Sequence, residues 1–212
     1  WDIQRSTGSD GFNITIPFYA SYNISDFNNL TIAMWNGSEW IEVPSAVTGT
    51  AASGSVTTNS PVSDFSTRYF ALGYKSIPKT YVPDDNFEAY LETHDASGNV
   101  VSVGDANSMG DGVANNDSVI TANISGVTYL DVNSLNIADL TGTEDFTSLS
   151  SLRCGLNQLT NLDVSNNTSL TFLACYENQL TSLDVSNNVS LTTLHAYINQ
   201  ISVLNLNSNT AL

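Results

Sequence analysis

The chain has 212 residues, of which 21 are Asp or Glu and five are Lys or Arg, so its formal net charge is −16. Such an acidic surface repels phosphate backbones and anionic lipid headgroups, so no nucleic acid and no membrane surface is expected as a partner. No apolar run approaches the roughly 20 residues that span a bilayer, so no membrane insertion is expected. The abundant Ser, Thr and Asn residues, with only 12% charged residues, favour an extracellular β-rich fold.

Residues 1–76 alternate apolar and polar side chains between turn residues, a pattern typical of an antiparallel β-sandwich of the Ig-like or jelly-roll kind. The predicted strands cover residues 1–5, 12–19, 30–35, 39–43, 54–58 and 68–75. Since the first residues already have a strand pattern, we expect this sandwich to be partial and truncated at its N-terminus. The chain would then be part of a longer polypeptide.

The clearest hairpin covers residues 30–43 and turns at Asn36-Gly37. A two-residue turn places Ile32 opposite Ile41, whereas a four-residue turn places Ile32 opposite Val43. Both registers put Trp35 and Trp40 together on the face opposite Ile32. These two rings form a possible carbohydrate platform, although packing under a loop is the commoner role of such tryptophans.

A short linker is predicted at residues 77–80, and residues 81–149 are predicted to hold a cap helix, an acidic loop and a degenerate first repeat. The helix covers residues 82–92, where Asp85 and Glu88 have the spacing of a capping box. Phe87, Tyr90 and Leu91 share one face of this helix. An amphipathic helix here is expected to cover the first coil of the repeat array that follows.

The acidic loop, residues 95–117, is rich in the oxygen ligands that calcium takes. The candidate ligands are Asp105, Asn107, Asp111, Asn115 and Asp117. Their spacing departs from the EF-hand pattern, because Met109 occupies the third ligand position and Gly112 comes two residues late. Calcium is therefore a possible cofactor, and a solvated turn-rich loop is the alternative; no other cofactor is indicated.

Three segments of 21 residues, 150–170, 171–191 and 192–212, align without a gap, and a degenerate unit at 130–149 precedes them. Apolar residues recur at fixed positions, for example Leu152, Leu173 and Leu194. One coil cannot bury such residues alone, but stacked coils bury them in a continuous column. The sequence therefore predicts a solenoid whose coils pair through short parallel strands, continuing beyond residue 212.

Two other positions of the repeat carry structural predictions. Asn157, Asn178 and Asn199 occupy one position, where an inward amide can bond backbone groups at a bend. Cys154 and Cys175 also share one inward position. Side-by-side Cβ vectors in stacked strands are poor geometry for a disulfide, so free thiols are favoured over a bridge.

Several runs resemble a known class of repeat proteins. They are TYVPDDNFEAYLE, GDGVANNDSVITANISGVTYLDV, LNIADLTGTEDFTSL and the repeated NQLTxLDVSNN. Residues 79–212 are similar to the leucine-rich-repeat regions of bacterial surface proteins exported by the type IX secretion route, and residues 1–76 resemble the end of the β-sandwich modules that precede such repeats. Thr143 stands where the family has Ile. The resemblance implies a secreted or cell-surface location and an adhesion role, with no catalytic residues.

The fold class is therefore mainly β: a partial Ig-like or jelly-roll β-sandwich followed by a helix-capped leucine-rich-repeat solenoid with 21-residue repeats. In such a solenoid the residues beside the inward strand positions lie on the concave face, where they are candidates for ligand binding. These candidates are Arg153, Phe172, Tyr176, Glu177, His195 and Tyr197. An aromatic ladder that only stabilises the sheet is an equally open interpretation.

Neither His94 nor His195 falls in a known catalytic pattern, and no nucleophile elbow, zinc-protease or phosphate-loop motif occurs. The chain is therefore predicted not to be an enzyme. It is predicted to be an extracellular or bacterial cell-surface binding module for a protein or glycan ligand. The alternative is a carbohydrate-binding accessory region of a larger secreted enzyme.

Overall fold

The computed structural model describes residues 15–19, 30–35, 40–50, 53–58, 70–74 and 77–212. The chain divides into two compact units, Trp1–Ser76 and Ile77–Leu212. The predicted strand at residues 1–5 lies outside the described residues.

The described part of the first unit consists of antiparallel strands. They are β1 (Thr15–Tyr19), β2 (Leu30–Trp35), β3 (Trp40–Val43), β4 (Ser45–Thr50), β5 (Ser53–Thr58) and β6 (Phe70–Tyr74). Their order is β1-β5-β4 in one sheet and β3-β2-β6 in another. Ile16, Ile32 and Val56 are buried. Strand β4 was missed, because its Ser-, Thr- and Gly-containing sequence lacks the bulky alternation that marks a strand.

The hairpin of β2 and β3 has the register that corresponds to a four-residue turn. Ile32 pairs with Val43, and Met34 pairs with Ile41. The same register places Trp35 directly opposite Trp40 in the backbone ladder. The side chains of these two tryptophans lie outside the described part of the structure.

The second unit begins with a two-stranded antiparallel sheet, in which β7 (Lys79–Tyr81) pairs with β8 (Ser118–Ile120). Lys79 and Thr80, predicted as linker, therefore belong to this strand. Helix α1 (Asp85–Thr93) follows, and it buries Phe87 and Leu91. The Phe87 ring packs on Phe146 of the first coil at 6.3 Å between centroids, so the helix covers that coil as expected.

The cap of α1 differs from the predicted capping box. Asp84, not Asp85, is the N-cap residue, and its carboxylate accepts hydrogen bonds from the backbone N–H groups of Asn86 and Phe87. The second oxygen of Asp84 accepts from the Ala138 N–H at 2.8 Å. One carboxylate thus caps the helix and attaches it to the first coil. Glu88 is buried and turns instead toward the acidic loop.

The stacked coils form one parallel sheet. Its strands are β9 (Tyr129–Asp131), β10 (Ser151–Arg153), β11 (Phe172–Ala174) and β12 (Thr193–His195), with the short helix α2 (Thr121–Ile124) before β9 and a 3-10 helix at Thr143–Asp145. Leu130, Leu152, Leu173 and Leu194 pair in register across the sheet. The predicted apolar column is confirmed, because the first three of these leucines belong to a single buried cluster and Leu194 packs against it.

Asparagine side chains satisfy the backbone at both bends of the coils. In the predicted ladder, Asn178 Nδ2 donates to the Cys154 and Cys175 carbonyls at 3.0 and 3.1 Å, and its Oδ1 accepts from the Leu159 N–H at 3.0 Å. Asn157 and Asn199 make equivalent bonds. A second ladder was not predicted: Asn167, Asn188 and Asn209 are buried and donate to carbonyls of the preceding coil.

Cys154 and Cys175 are buried free thiols, as predicted. Burial raises the pKa of Cys175 to about 12. The pKa of the Cys154 thiol is also raised, by burial and by its neighbour Cys175. Both therefore act as small apolar side chains in the core. None of the helices in the described part of the chain has the length and apolar character needed to cross a bilayer.

Candidate functional site

The outer face of the parallel sheet carries the predicted ligand-binding residues. Side chains alternate along a strand, so the residues on either side of each buried leucine point away from the core. We use the name aromatic strip for Tyr129, Arg153, Phe172, Tyr176, His195 and Tyr197 on this face.

Arg153 lies between two aromatic rings of the neighbouring coils. Its guanidinium carbon is 4.7 Å from the centroid of Phe172 and 5.8 Å from that of Tyr129. Both distances are within the range of cation–π attraction. Its Nε atom is buried and has no hydrogen-bond partner among the described residues. The stacking therefore fixes the guanidinium while leaving this donor unused.

The other rings of the strip also contact one another. Phe172 meets His195 edge to face at 5.5 Å, and His195 lies 6.3 Å from Tyr197. Tyr197 stacks on Tyr176 at 5.0 Å with an interplanar angle of 11°. Five of the six predicted binding residues are thus connected by direct ring contacts. The sixth, Glu177, follows Tyr176 in the chain.

The Tyr176 ring packs directly against the backbone of Gly155. A Cβ atom at this position would lie 2.6 Å from Tyr176 Cε1, closer than side chains tolerate. Glycine is therefore required for the ring of one coil to lie on the backbone of the preceding coil. The repeat pattern does not indicate this role, because it depends on a ring of the neighbouring coil.

A row of left-handed residues borders the strip. Leu156, Glu177 and Ile198 have φ values of 56°, 50° and 52°. Residues with a Cβ atom adopt this conformation at a cost of roughly 1–2 kcal/mol. Leu156 and Ile198 are nevertheless large, apolar and exposed. The border thus adds apolar surface beside the aromatic rings.

The charge distribution isolates Arg153. Residues 77–212 contain fifteen acidic residues and only two basic ones, Lys79 and Arg153. Lys79 Nζ lies 2.7 Å from Asp111 Oδ2. This pair is the one salt bridge found among the described residues. Asp131 pairs in register with Arg153, but its carboxylate accepts from the Tyr129 hydroxyl at 3.0 Å and the Asn133 N–H at 3.2 Å. Burial and this hydroxyl bond raise the pKa of Tyr129, whereas Arg153 lowers it.

Comparison with known proteins finds similar solved structures, whereas no protein-family model and no curated protein matches the chain. The functional domain of InlJ from Listeria monocytogenes aligns with 65% of this chain at 32% identity, with a TM-score of 0.52. The internalin inlF of L. monocytogenes aligns with 58% at 24% identity (TM-score 0.47), and internalin C2 with 63% at 17% identity (TM-score 0.27). This chain covers 28% of the InlJ chain, 33% of the inlF chain and 85% of the internalin C2 chain.

The second unit has a leucine-rich-repeat fold. The InlJ match, at 32% identity and a TM-score of 0.52, supports this conclusion, and the in-register leucines agree with it. The functional domain of InlJ includes a cysteine ladder, and this chain also stacks cysteines on consecutive coils, at Cys154 and Cys175.

Among the described residues, the acidic loop does not bring the carboxylates of Asp105, Asp111 and Asp117 together in one group. Within the described residues, the three acidic side chains that converge within 4.8 Å are Asp85, Glu88 and Asp117, and only Asp117 was predicted. Asp105 accepts from the Asn107 N–H in a local turn. Glu88 already accepts hydrogen bonds from the backbone N–H groups of Asn116 and Asp117. The loop is thus held by carboxylates of the helix that bind its backbone.

Asp111 forms an ion pair with Lys79 that connects the loop to β7. Burial opposes its ionisation, but hydrogen bonds from Lys79 Nζ, Asn116 Nδ2 and the Val113 N–H lower the pKa of this carboxyl to about 2. Since the folded-state pKa lies below the ordinary value of 3.8, the charged carboxylate stabilises the fold above about pH 4. This contribution is lost as the pH falls through about 2.

We expect Asp111→Asn to lower the free energy of unfolding by about 1–2 kcal/mol at pH 6, since Lys79 is half exposed and its attraction is screened. The difference from the unmodified chain should shrink as urea unfolding is repeated at pH 4, 3 and 2. Asp105→Asn, at an exposed position, is the control and should change stability by less than about 0.5 kcal/mol. A deficit for Asp111→Asn that stays constant down to pH 2 would contradict this role.

Proposed function

We propose that the outer face of the leucine-rich sheet, the predicted concave face, binds a protein ligand at an extracellular or bacterial cell surface, and that the chain has no catalytic activity. The observation that carries the proposal is the aromatic strip, a connected set of rings that remains open to solvent in part. Tyr197, at its end, is 56% exposed. Rings held by one another lose little conformational freedom when a partner binds, which favours affinity.

The composition of the strip supports a protein partner. Tyrosine and arginine are among the residue types enriched at the centres of protein interfaces. The exposed apolar side chains of Leu156 and Ile198 extend the same surface. The resemblance to InlJ is consistent with a surface protein, and an adhesion role would follow from binding at that location.

We also propose that the second unit has 21-residue repeats, that the first unit is a β-sandwich, and that the protein is exported by the type IX route. The pairing of residues 21 positions apart in β10, β11 and β12 supports a 21-residue repeat. The two antiparallel sheets of the first unit support a β-sandwich of the Ig-like or jelly-roll kind. Export by the type IX route rests on the sequence resemblance alone.

A paired-variant binding screen tests the proposed function. The unmodified chain is applied to an array of extracellular protein domains and to a glycan array, together with Tyr197→Ala and Val189→Ala. Both side chains are 56% exposed, but Val189 lies outside the strip. We expect a protein hit whose affinity falls roughly 30-fold or more with Tyr197→Ala, the size of a hot-spot loss, and less than about twofold with Val189→Ala.

The carbohydrate alternative has its own outcome in this screen. The hairpin register pairs Trp35 with Trp40, so two large aromatic residues are adjacent in the first unit. A glycan hit abolished by Trp40→Ala and unaffected by Tyr197→Ala would favour the carbohydrate-binding accessory role. The same result would contradict binding through the aromatic strip.

A further inference from the structure

Building on the proposed function, we propose that Arg153 is a carboxylate-binding subsite within the aromatic strip, and that it binds an Asp or Glu side chain of the protein partner. The guanidinium is already oriented before any ligand arrives, because Phe172 and Tyr129 stack on it from neighbouring coils. A planar guanidinium fixed in this way matches the two oxygens of a carboxylate.

Within the part of the chain that the structure describes, no acceptor binds the guanidinium of Arg153. Among the described residues, its buried Nε atom has no hydrogen-bond partner, which is uncommon for a buried polar atom. The side chain as a whole is only partly buried, so a carboxylate would bind its two terminal nitrogens. The acidic side chain nearest in register, Asp131, is engaged by the Tyr129 hydroxyl and the Asn133 N–H. The ring that stacks on the guanidinium thus also binds the carboxylate that would otherwise neutralise it.

The surrounding charge selects the kind of anion. Of the two basic residues in 77–212, Lys79 is paired with Asp111, so Arg153 is the unpaired cation in that part of the chain. Fifteen acidic residues in the same unit repel a polyanion before it reaches the strip. A single carboxylate on a neutral or basic protein surface avoids this repulsion, whereas a phosphate carries more negative charge and is disfavoured.

The subsite can be tested by nuclear magnetic resonance without knowing the partner. The chain contains three arginines, Arg5, Arg68 and Arg153, so the Nε–H region of a ¹⁵N spectrum is simple, and Arg153→Lys assigns the signal of interest. We expect sodium propionate, added at constant ionic strength, to shift the Arg153 signal saturably with a midpoint on the order of 10 mM. Propionamide, which has the same shape without the charge, should leave it unmoved.

Three spectroscopic outcomes would overturn the subsite. One is a propionate shift that does not saturate, and another is an equal shift of the Arg5 and Arg68 signals, which would indicate nonspecific ion pairing. The third is tighter binding of inorganic phosphate than of propionate, which would indicate a phosphate receptor.

The partner found in the screen provides a second readout. Arg153→Gln should weaken its binding about tenfold or more, and Arg153→Lys should fall between, because an ammonium keeps the charge but cannot form the two-pronged contact. If Tyr197→Ala abolishes binding but Arg153→Gln does not, the proposed function stands and the carboxylate subsite fails. If neither variant affects binding, the proposed function fails, and the propionate titration decides the subsite separately.

Discussion

Replacing Asn178 by alanine is expected to lower the free energy of unfolding by about 3–5 kcal/mol. The side chain donates to the Cys154 and Cys175 carbonyls and accepts from the Leu159 N–H, so it serves backbone groups of more than one coil. Alanine leaves the buried Leu159 N–H without its partner, which costs about 1–3 kcal/mol. It also removes one of two amide donors from each carbonyl, since Asn157 and Asn199 still donate to Cys154 and Cys175, at about 0.5–1.5 kcal/mol for each lost bond. Urea unfolding followed by circular dichroism measures the change.

Asn166→Ala is the matched control for this experiment. It removes the same amide from a neighbouring coil, but Asn166 is exposed and water can replace its contacts. Its effect should stay within about 0.5 kcal/mol. Equal losses in the two variants would mean that the buried ladder contributes nothing beyond the ordinary cost of removing an asparagine.

Leu173→Ala is expected to cost about 2–5 kcal/mol, because it opens a cavity in the centre of the apolar column. Leu173 is fully buried and lies between Leu152 and Leu194, so the coils on both sides lose contacts. Thermal and urea unfolding should both show the loss. The transition should also broaden, because a weakened interface lets neighbouring coils unfold less cooperatively.

Leu156→Ala provides the comparison, since it makes the same substitution at an exposed position of the adjacent coil. Leucine and alanine both carry a Cβ, so the left-handed backbone there is equally costly in either variant. We expect a change below about 0.5 kcal/mol. A loss for Leu173→Ala no larger than that of Leu156→Ala would show that the column does not dominate stability.

The parts of the fold that could be predicted from the sequence are those that depend on periodicity. Leu152 and Leu173 recur with the coil, and Asn157 and Asn178 do so at the bend, so one stacking rule locates them all. The second ladder, at Asn167 and its equivalents, had the same repeat signal but was overlooked, since adjacent asparagines in each coil resemble ordinary turn residues. The repeat pattern alone does not show that these asparagine side chains are buried.

Other features could not be predicted because they depend on contacts between distant segments. The capping-box spacing favours Asp85, whereas Asp84 is the N-cap residue. The sequence does not show that the second carboxylate oxygen of Asp84 accepts a hydrogen bond from the Ala138 N–H. Glu88 fits a capping box by spacing, but tertiary contacts direct its carboxylate to Asp117 N–H. Local motifs do not encode such competition between partners.

The candidate site was predicted in part. Spacing predicts Arg153, Phe172 and Tyr197 on one face, because residues flanking the inward positions point outward. The isolation of Arg153 from Asp131 could not be predicted, since it requires the Tyr129 hydroxyl to lie on that carboxylate. The proposed ligand chemistry depends on this detail of geometry.

The packing of Tyr176 on Gly155 shows that neighbouring coils form the exposed surface together. A ring contributed by one coil lies on the bare backbone of the coil before it, while the buried leucines follow the same rule in every coil. Duplicating or exchanging a coil would therefore bring new side chains beside one another without disturbing the interior. The order of the coils could thus change what is recognised while the framework that supports recognition stays the same.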